Sequence, residues 1–151
     1  VLVYGPGVKS NLLSLMKWIK RRLPLPLGGV DNKRSFVSIT NLISFIYICL
    51  NHPKAGNETF LVSDQTPISI SKLIEKLSLS LKTNIPLFVP FPKSILSALL
   101  LMVGKADVAT KLLKSLEVDI GKNSKLLGWR PVQSTEDGLK QMAEDFLNNE
   151  Q

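Results

Sequence analysis

The side chains that most often do chemistry are few in this 151-residue chain, which has one histidine, His52, and one cysteine, Cys49. A single histidine excludes a metal site built from two histidines. It also excludes a site in which one histidine acts as the base of a catalytic triad while another binds a metal. His52 follows an apolar segment and precedes Pro53, so we expect it at the surface, capping the end of a helix. Cys49 lies within that apolar segment with no basic neighbour, and we expect it to serve packing.

Motifs that bind phosphate groups are also missing from the sequence. None of the nine glycines gives the G-x-G-x-x-G spacing of a dinucleotide-binding turn, and the sequence has no P-loop. Several carboxylates occur, among them Asp64, Asp107, Asp119 and Asp137, but the sequence does not show which of them share a cleft. From the residues alone we identify no catalytic constellation.

Composition favours a globular protein with one core, and we expect a single domain over residues 1–151. The formal net charge is +7, and the only tight basic groups are Lys20–Arg22 and Lys33–Arg34. Neither group is interleaved with aromatic residues, so we expect a basic surface with one local anion site rather than a nucleic-acid partner. The longest apolar run, Ala98–Val103, is too short to cross a bilayer, and we expect no membrane partner.

Hydrophobic spacing predicts the elements that must position any site. We expect strands at 1–4, 34–39 and 59–64, and extended, proline-containing segments at 23–29 and 85–92. We expect helices at 10–23, 40–50, 68–82, 93–116 with an interruption near Gly104–Asp107, 124–128 and 134–147. Ser10 or Asn11 is placed to cap the first helix, Thr40 the second, and Ser134 with Asp137 the last. The second helix is apolar on most sides and should be buried.

The predicted strands are too few and too short for a complete doubly wound sheet. The sequence also starts at Val1 within a predicted strand and without methionine. We therefore expect a part of a larger protein, of mixed and helix-rich α/β class.

Five segments in order resemble the C-terminal half of an NAD-dependent nucleotide-sugar epimerase or dehydratase, an extended short-chain dehydrogenase. They read "VYGPG", "LPLPLGGVDNKRSFVSITNL", "TFLVSDQTPISISKL", "KLLGWRP" and "STEDGL". The resemblance is closest to bacterial epimerases of UDP-N-acetylhexosamines used in polysaccharide synthesis. It implies remnants of a parallel sheet, a UDP-sugar substrate, and NAD bound by an N-terminal half that this chain lacks.

The family's catalytic Tyr-x-x-x-Lys pair is absent, because Val8 and Asn51 stand four residues after Tyr4 and Tyr47. The resemblance therefore implies no catalytic residue and no cofactor in this chain, which we expect to be inactive alone. The complete protein would be a cytoplasmic bacterial enzyme. Without the NAD domain, sheet edges and apolar surface would be exposed, and we expect self-association through them.

Substrate contacts follow from the same resemblance, position by position. Asn11 and Leu12 match the start of a helix whose backbone amides face the diphosphate. Leu25 and Leu27 match an extended segment whose backbone runs along the uracil base. Arg34 matches an arginine that reaches a phosphate, a contact that guanidinium can make in bidentate fashion.

The sequence departs from the family pattern at two places. An arginine that often clamps ribose and phosphate is missing; Lys111, Lys114 and Ser115 stand there, and Lys111 is the candidate that we retain. Ser38 and Asn41 replace a common histidine and aspartate, so the sugar preference cannot be transferred.

Two alternatives stay open. The same half fits a 4,6-dehydratase or a reductase of the superfamily, which differ in residues outside this chain. A non-catalytic interaction or nucleotide-binding module that stands on its own is the second alternative.

Overall fold

The computed structural model describes residues 1–28, 32–85, 88–90 and 114–149. Its elements are β1 (Leu2–Tyr4), α1 (Ser10–Lys20), β2 (Leu25–Gly28), β3 (Phe36–Ser38), α2 (Ile39–Asn51), a 3-10 turn (Pro53–Ala55), α3 (Ile70–Ser80), β4 (Phe88–Pro90), α4 (Gly121–Leu127) and α5 (Thr135–Asn149). The mixed, helix-rich α/β class expected from the sequence is confirmed. No helix in these ranges combines the length and the apolar content needed to cross a membrane.

The described strands form two parallel pairs. β1 pairs with β3, with Leu2 opposite Phe36 and Tyr4 opposite Ser38. β2 pairs with β4, with Leu25 opposite Phe88. Parallel strands need a crossover connection, and the helices of this chain supply it.

The strand predicted at 59–64 is wrong, since these residues form no named strand. The Asp64 amide still donates to the Phe36 carbonyl at 2.8 Å. Two earlier carbonyls of this segment accept hydrogen bonds from side chains of α4 instead. The Asn123 side chain donates to the Leu61 carbonyl, and Lys122 Nζ donates to the Thr59 carbonyl. Side-chain bonds to α4 thus replace a backbone ladder in part of this segment.

The main core lies between α1, α3 and α5. It buries Leu12, Met16 and Ile19 of α1, Leu73, Ile74 and Leu77 of α3, and Leu139, Met142 and Phe146 of α5. The buried residues of α1 and of α3 recur at helical spacing, so each helix turns one apolar face to this core. Gly138 lets α5 approach closely, because a Cβ there would lie 2.8 Å from the Tyr4 hydroxyl.

The expectation that α2 is buried on most sides is wrong. Asn41 and Phe45 are its buried residues, whereas Ile43, Ile46, Tyr47 and Leu50 are 48–79% exposed. Phe45 packs on Trp129 and Leu127 in a second, smaller cluster. The described elements cover one side of α2 and leave its other apolar side in contact with solvent.

Two predicted helix caps are also wrong. α1 begins after Lys9, which makes no side-chain capping bond, so neither Ser10 nor Asn11 caps it. α2 begins one residue before Thr40, and Ser38 caps it by accepting the Asn41 amide. In both cases the helix starts earlier than the polar residue that the pattern favoured.

The last predicted cap is confirmed, because the Ser134 hydroxyl donates to the Asp137 carboxylate and accepts the Asp137 amide. The predicted stop at Gly128 is confirmed by its left-handed conformation, with φ +67°. The helix predicted over 93–116 falls mostly outside the described residues. Its last residues are not helical, since Leu116 pairs with the backbone beside Arg34.

Candidate functional site

Arg34 is held in place by backbone pairing on two sides. Its amide and carbonyl bond to Ile68 at 3.0 Å each. On the other side, the Leu116 amide donates to the Lys33 carbonyl, and the Ser35 amide donates to the Leu116 carbonyl. The backbone at Arg34 therefore joins three chain segments that are far apart in sequence.

Side chains reinforce the contact between residues 33–35 and 114–118. The Lys33 amide donates to Ser115 Oγ at 3.1 Å, and the Val118 amide donates to Ser35 Oγ at 3.0 Å. The Arg34 guanidinium donates to the Lys114 carbonyl at 3.3 Å. The structure thus places Lys114 and Ser115, which stand where the family resemblance puts a clamp for ribose and phosphate, against residues 33–35.

Three cations and one carboxylate, that of Glu117, lie on residues 33–35 and 114–118, so positive charge predominates at this junction. Arg34 is half-buried, while Lys33 and Lys114 on the adjoining backbone are exposed. In the described part of the chain, neither lysine forms an ion pair with a carboxylate. Three cationic side chains on touching segments create a potential that attracts anions.

The other predicted contacts have different surroundings. Asn11 is exposed in the first turn of α1, and no hydrogen bond between described residues joins it to Arg34. Leu12 and Leu25 are buried in the main core together with Phe36, so their side chains cannot reach a ligand. The role implied for them uses their backbone groups and stays a prediction.

Two predicted residues can be placed only in part. Leu27 belongs to β2, whose one edge pairs with β4. Lys111 lies outside the described residues. Of the three residues that replace the family's clamping arginine, Lys114 and Ser115 are described.

Sequence reasoning missed a buried polar cluster around Asp64, which is 6% exposed. Its carboxylate accepts from the Tyr4 hydroxyl at 2.6 Å, the Ser38 amide at 2.9 Å and the Asn41 side-chain amide at 2.7 Å. Asn41 Oδ1 in turn accepts the amides of Val132 and Gln133. We call these residues the Asp64 cluster.

The Asp64 cluster has a positioning role. It joins β1, the start of α2 and the segment before α5, and the Asp64 carboxylate accepts three hydrogen bonds from these elements. Burial, followed by the bond to Asp64, raises the pKa of Tyr4 above its usual value, so its phenol stays protonated. Ser38 and Asn41, at which the sequence departs from the family pattern, both belong to this cluster.

A cavity of about 310 Å³ adjoins the Arg34 junction through Val118. Gln65, Asp119, Trp129 and Arg130 also line it. The Asp119 carboxylate is already bonded to the Gly121 amide at 2.7 Å. The cavity thus offers an arginine, an amide and an aromatic edge next to the segments that hold Arg34.

The expected structural roles of the histidine and cysteine are confirmed. His52 ends α2, and its Nδ1 accepts the Lys54 amide at 3.2 Å. Cys49 is half-buried against the cluster of Phe45 and Trp129, and burial raises the pKa of its thiol. Neither residue touches the Arg34 junction in the hydrogen bonds of the described chain.

Comparisons with known proteins decide which family the geometry resembles. No protein-family model matches the chain. A UDP-glucose 4-epimerase of Vibrio cholerae is 41% identical over 148 residues, which is 97% of this chain and 44% of that protein.

A second relative is more distant. The N-acetyl-α-D-glucosaminyl-diphospho-ditrans,octacis-undecaprenol 4-epimerase of Escherichia coli O157:H7 is 25% identical over 96 residues, covering 63% of this chain and 29% of that protein. Among solved structures, the UDP-glucuronic acid 4-epimerase of Bacillus cereus in complex with NAD superposes with a TM-score of 0.70. At 22% identity, over 99% of this chain and 44% of that one, this likeness shows the fold alone.

The resemblance to nucleotide-sugar epimerases drawn from the five segments is confirmed. The chain spans about 44% of the length of the Vibrio epimerase. Arg34 lies within "LPLPLGGVDNKRSFVSITNL", one of the five segments on which the sequence resemblance rests.

Proposed function

We propose that this chain is the substrate-binding part of an NAD-dependent epimerase, and that Arg34 holds the diphosphate of a UDP-sugar. The observation that carries the proposal is the junction at Arg34, where paired backbones fix the arginine between two exposed lysines. The guanidinium itself donates to the Lys114 carbonyl, and such a restrained side chain loses less entropy when it binds phosphate oxygens. The identity to the Vibrio epimerase supports the choice of substrate class.

The remaining contacts complete the binding mode that we propose. The first amides of α1 have no side-chain cap, and the Asp145 carboxylate beside this helix start is already bonded to the Gly7 amide. The amides at Asn11 and Leu12 would then face the diphosphate. β2 pairs along one edge with β4, so the backbone of Leu25 and Leu27 can face the uracil along the other. Lys111 would add a further cation beside Lys114.

The two tyrosines of this chain do not fit the family's catalytic Tyr-x-x-x-Lys pair. Tyr4 is buried against Asp64, Tyr47 is exposed on α2, and neither is followed by a lysine four residues later. We therefore derive no hydride step from this chain. When bound by the rest of the enzyme, NAD supplies the oxidation and reduction at the sugar, while this part fixes the nucleotide.

The rest of the enzyme needs a surface on which to dock, and we propose the outer side of α2 with the free edge of β1. Ile39, Ile43, Ile46, Tyr47 and Leu50 recur at helical spacing on that side of α2. Gly5 at the end of β1 touches Ile39, so strand and helix share the surface. We call it the α2 face. In the isolated chain we expect a second copy to cover it.

A calorimetric titration of UDP tests the nucleotide site. We expect saturable binding that weakens at least about tenfold in Arg34→Ala, because a bond to a charged group is worth roughly 1.5–3 kcal/mol. Arg21→Ala removes the same side chain at the far end of α1 and should bind UDP as the parent does.

Uridine provides an internal control, because it has the base and ribose but no phosphate. We expect Arg34→Ala to leave uridine binding unchanged. If the folded chain binds no UDP, or if Arg21→Ala weakens UDP binding as much as Arg34→Ala, the proposed site is wrong.

A further inference from the structure

The end of α1 where the chain enters β2 carries an unusual mixture of charge and apolar surface. Trp18 is 46% exposed and Leu23 is 37% exposed. Arg21 and Arg22 stand between them and are exposed as well. No ion pair in the described ranges engages either arginine.

The end of α3 adds to this surface. α1 leads into β2 and α3 leads into β4, and these two strands run parallel with Leu25 opposite Phe88. Because α1 and α3 also pack on each other, the two helices end at the same side of the strand pair. Lys82 is exposed there, and Ile85 is 46% exposed.

Acidic side chains are missing from these segments. The first thirty residues contain no aspartate or glutamate, and none occurs between Lys76 and Ala106. α5 packs beside α1 and brings Asp145, whose carboxylate bonds to the Gly7 amide. That bond holds the Asp145 carboxylate near Gly7, which precedes α1, whereas Trp18 lies near the other end of the helix.

Cations in the last turn of a helix are expected, since they oppose the negative end of the helix dipole. The dipole gives no reason for an exposed tryptophan, leucine and isoleucine among them. Tryptophan and leucine beside arginine and lysine are typical of surfaces that lie in the interface of an anionic bilayer. A single-strand nucleic-acid site would instead need several aromatic residues along a basic groove.

We infer that the surface formed by Trp18, Arg21, Arg22, Leu23, Lys82 and Ile85 docks this protein on membranes that contain anionic lipid. The arginines and Lys82 approach the headgroups, while Trp18, Leu23 and Ile85 enter the boundary of the acyl chains. This peripheral contact differs from the expectation that the chain has no membrane partner. That expectation rested on the length of a spanning segment, which a peripheral contact does not need.

The docking surface and the proposed nucleotide site are separate. α1 has 11 residues, so Asn11 lies about 16 Å from the basic end of the helix. Binding to a membrane therefore leaves the first turn of α1 accessible. Failure of one proposal does not affect the other, because UDP binding and vesicle binding are measured independently.

Sedimentation with vesicles tests this inference on the whole chain. We expect binding to vesicles of phosphatidylglycerol and phosphatidylcholine, and little binding to phosphatidylcholine alone. Arg21→Gln with Arg22→Asn should weaken binding at least about tenfold, because each cation near such a surface contributes to the affinity. Asparagine is chosen since Arg22 has φ 55°, a conformation that asparagine tolerates.

Lys125→Gln with Lys140→Gln is the matched control, because it removes two exposed cations on α4 and α5. This control should bind as the parent does. An equal loss in both double variants would overturn the inference, and so would undiminished binding in the arginine variant.

Tryptophan emission gives a second readout of the same contact. Trp129 is 3% exposed and its indole N–H donates to Ser44, so a blue shift on adding vesicles reports on Trp18. We expect the shift to disappear in Trp18→Phe. If DNA competes fully with the vesicles and no blue shift occurs, the surface binds polyanions in general and the membrane inference is wrong.

Discussion

α2 and α3 are both apolar helices, but the chain treats them differently. α3 buries Leu73 and Leu77 completely against α1 and α5. α2 is the more apolar of the two, yet Ile43, Tyr47 and Leu50 face solvent. The comparison shows that apolar content predicts burial only where the same chain supplies a covering element. The predictions below test this difference, from the largest expected effect to the smallest.

Shortening one buried and one exposed apolar side chain is the strongest test. Leu77→Ala should lower the free energy of unfolding by about 2–5 kcal/mol, because it opens a cavity in the main core. Ile43→Ala should change it by less than about 0.5 kcal/mol when the chain is diluted to monomer. Denaturant unfolding measures both values, and similar losses in the two variants would show that α2 is covered by the chain itself.

Gly138 tests how closely α5 approaches β1. Gly138→Ala should lower the free energy of unfolding by roughly 1–3 kcal/mol, because its Cβ would lie 2.8 Å from the Tyr4 hydroxyl and 3.2 Å from Ser38 Cβ. Gly56→Ala is the control, since nothing lies within 4 Å of the added Cβ. Equal stability of the two variants would mean that the contact with Tyr4 is looser than described.

The pH dependence of stability tests the Asp64 cluster. Burial and Asp64 raise the pKa of Tyr4 in the folded state, so above about pH 10 the unfolded chain holds fewer protons than the folded one. Stability contributed by this group is complete below that pH and falls as pH rises, by at most about 1.4 kcal/mol per unit.

Tyr4→Phe should remove the decrease in the free energy of unfolding that Tyr4 causes at alkaline pH. Tyr47→Phe, which removes an exposed phenol, should leave this decrease in place. Denaturant midpoints measured between neutral and alkaline pH provide the comparison. A Tyr4→Phe profile identical to that of the parent would contradict the position of Tyr4 in the cluster.

Polar substitutions on the α2 face should have the smallest effect on folding. Tyr47→Ser with Leu50→Ser should leave the free energy of unfolding within about 0.5 kcal/mol of the parent. The same change should shift the chain toward monomer in sedimentation velocity, because a second copy no longer gains apolar contact. A parent chain that stays monomeric at all concentrations would contradict self-association through this face.

Local patterns in the sequence predicted the elements whose determinants lie close together. The apolar face of α3, the cap formed by Ser134 and Asp137, and the stop at Gly128 each depend on residues within a few positions of one another. The caps of α1 and α2 failed because several polar residues compete near each helix start. Local signals predict that a helix forms, but they do not determine the residue at which it begins.

The Asp64 cluster could not be predicted in the same way. Tyr4 and Asp64 are 60 residues apart, and Asn41 reaches Gln133 across 92 residues. No period or spacing encodes such contacts, which follow from the packing of the whole chain. Arg34 could be singled out only because its segment resembles a known family, and the structure then added the pairing with Ile68 and Leu116.

The most direct test of the account is complementation in trans. This chain is mixed with the part of the Vibrio cholerae UDP-glucose 4-epimerase that it does not match, and the conversion of UDP-glucose is followed with NAD present. We predict conversion of UDP-glucose by the mixture and not by either part alone. Arg34→Ala should abolish this conversion while the two parts still co-elute. A co-eluting complex that leaves UDP-glucose unchanged would contradict it.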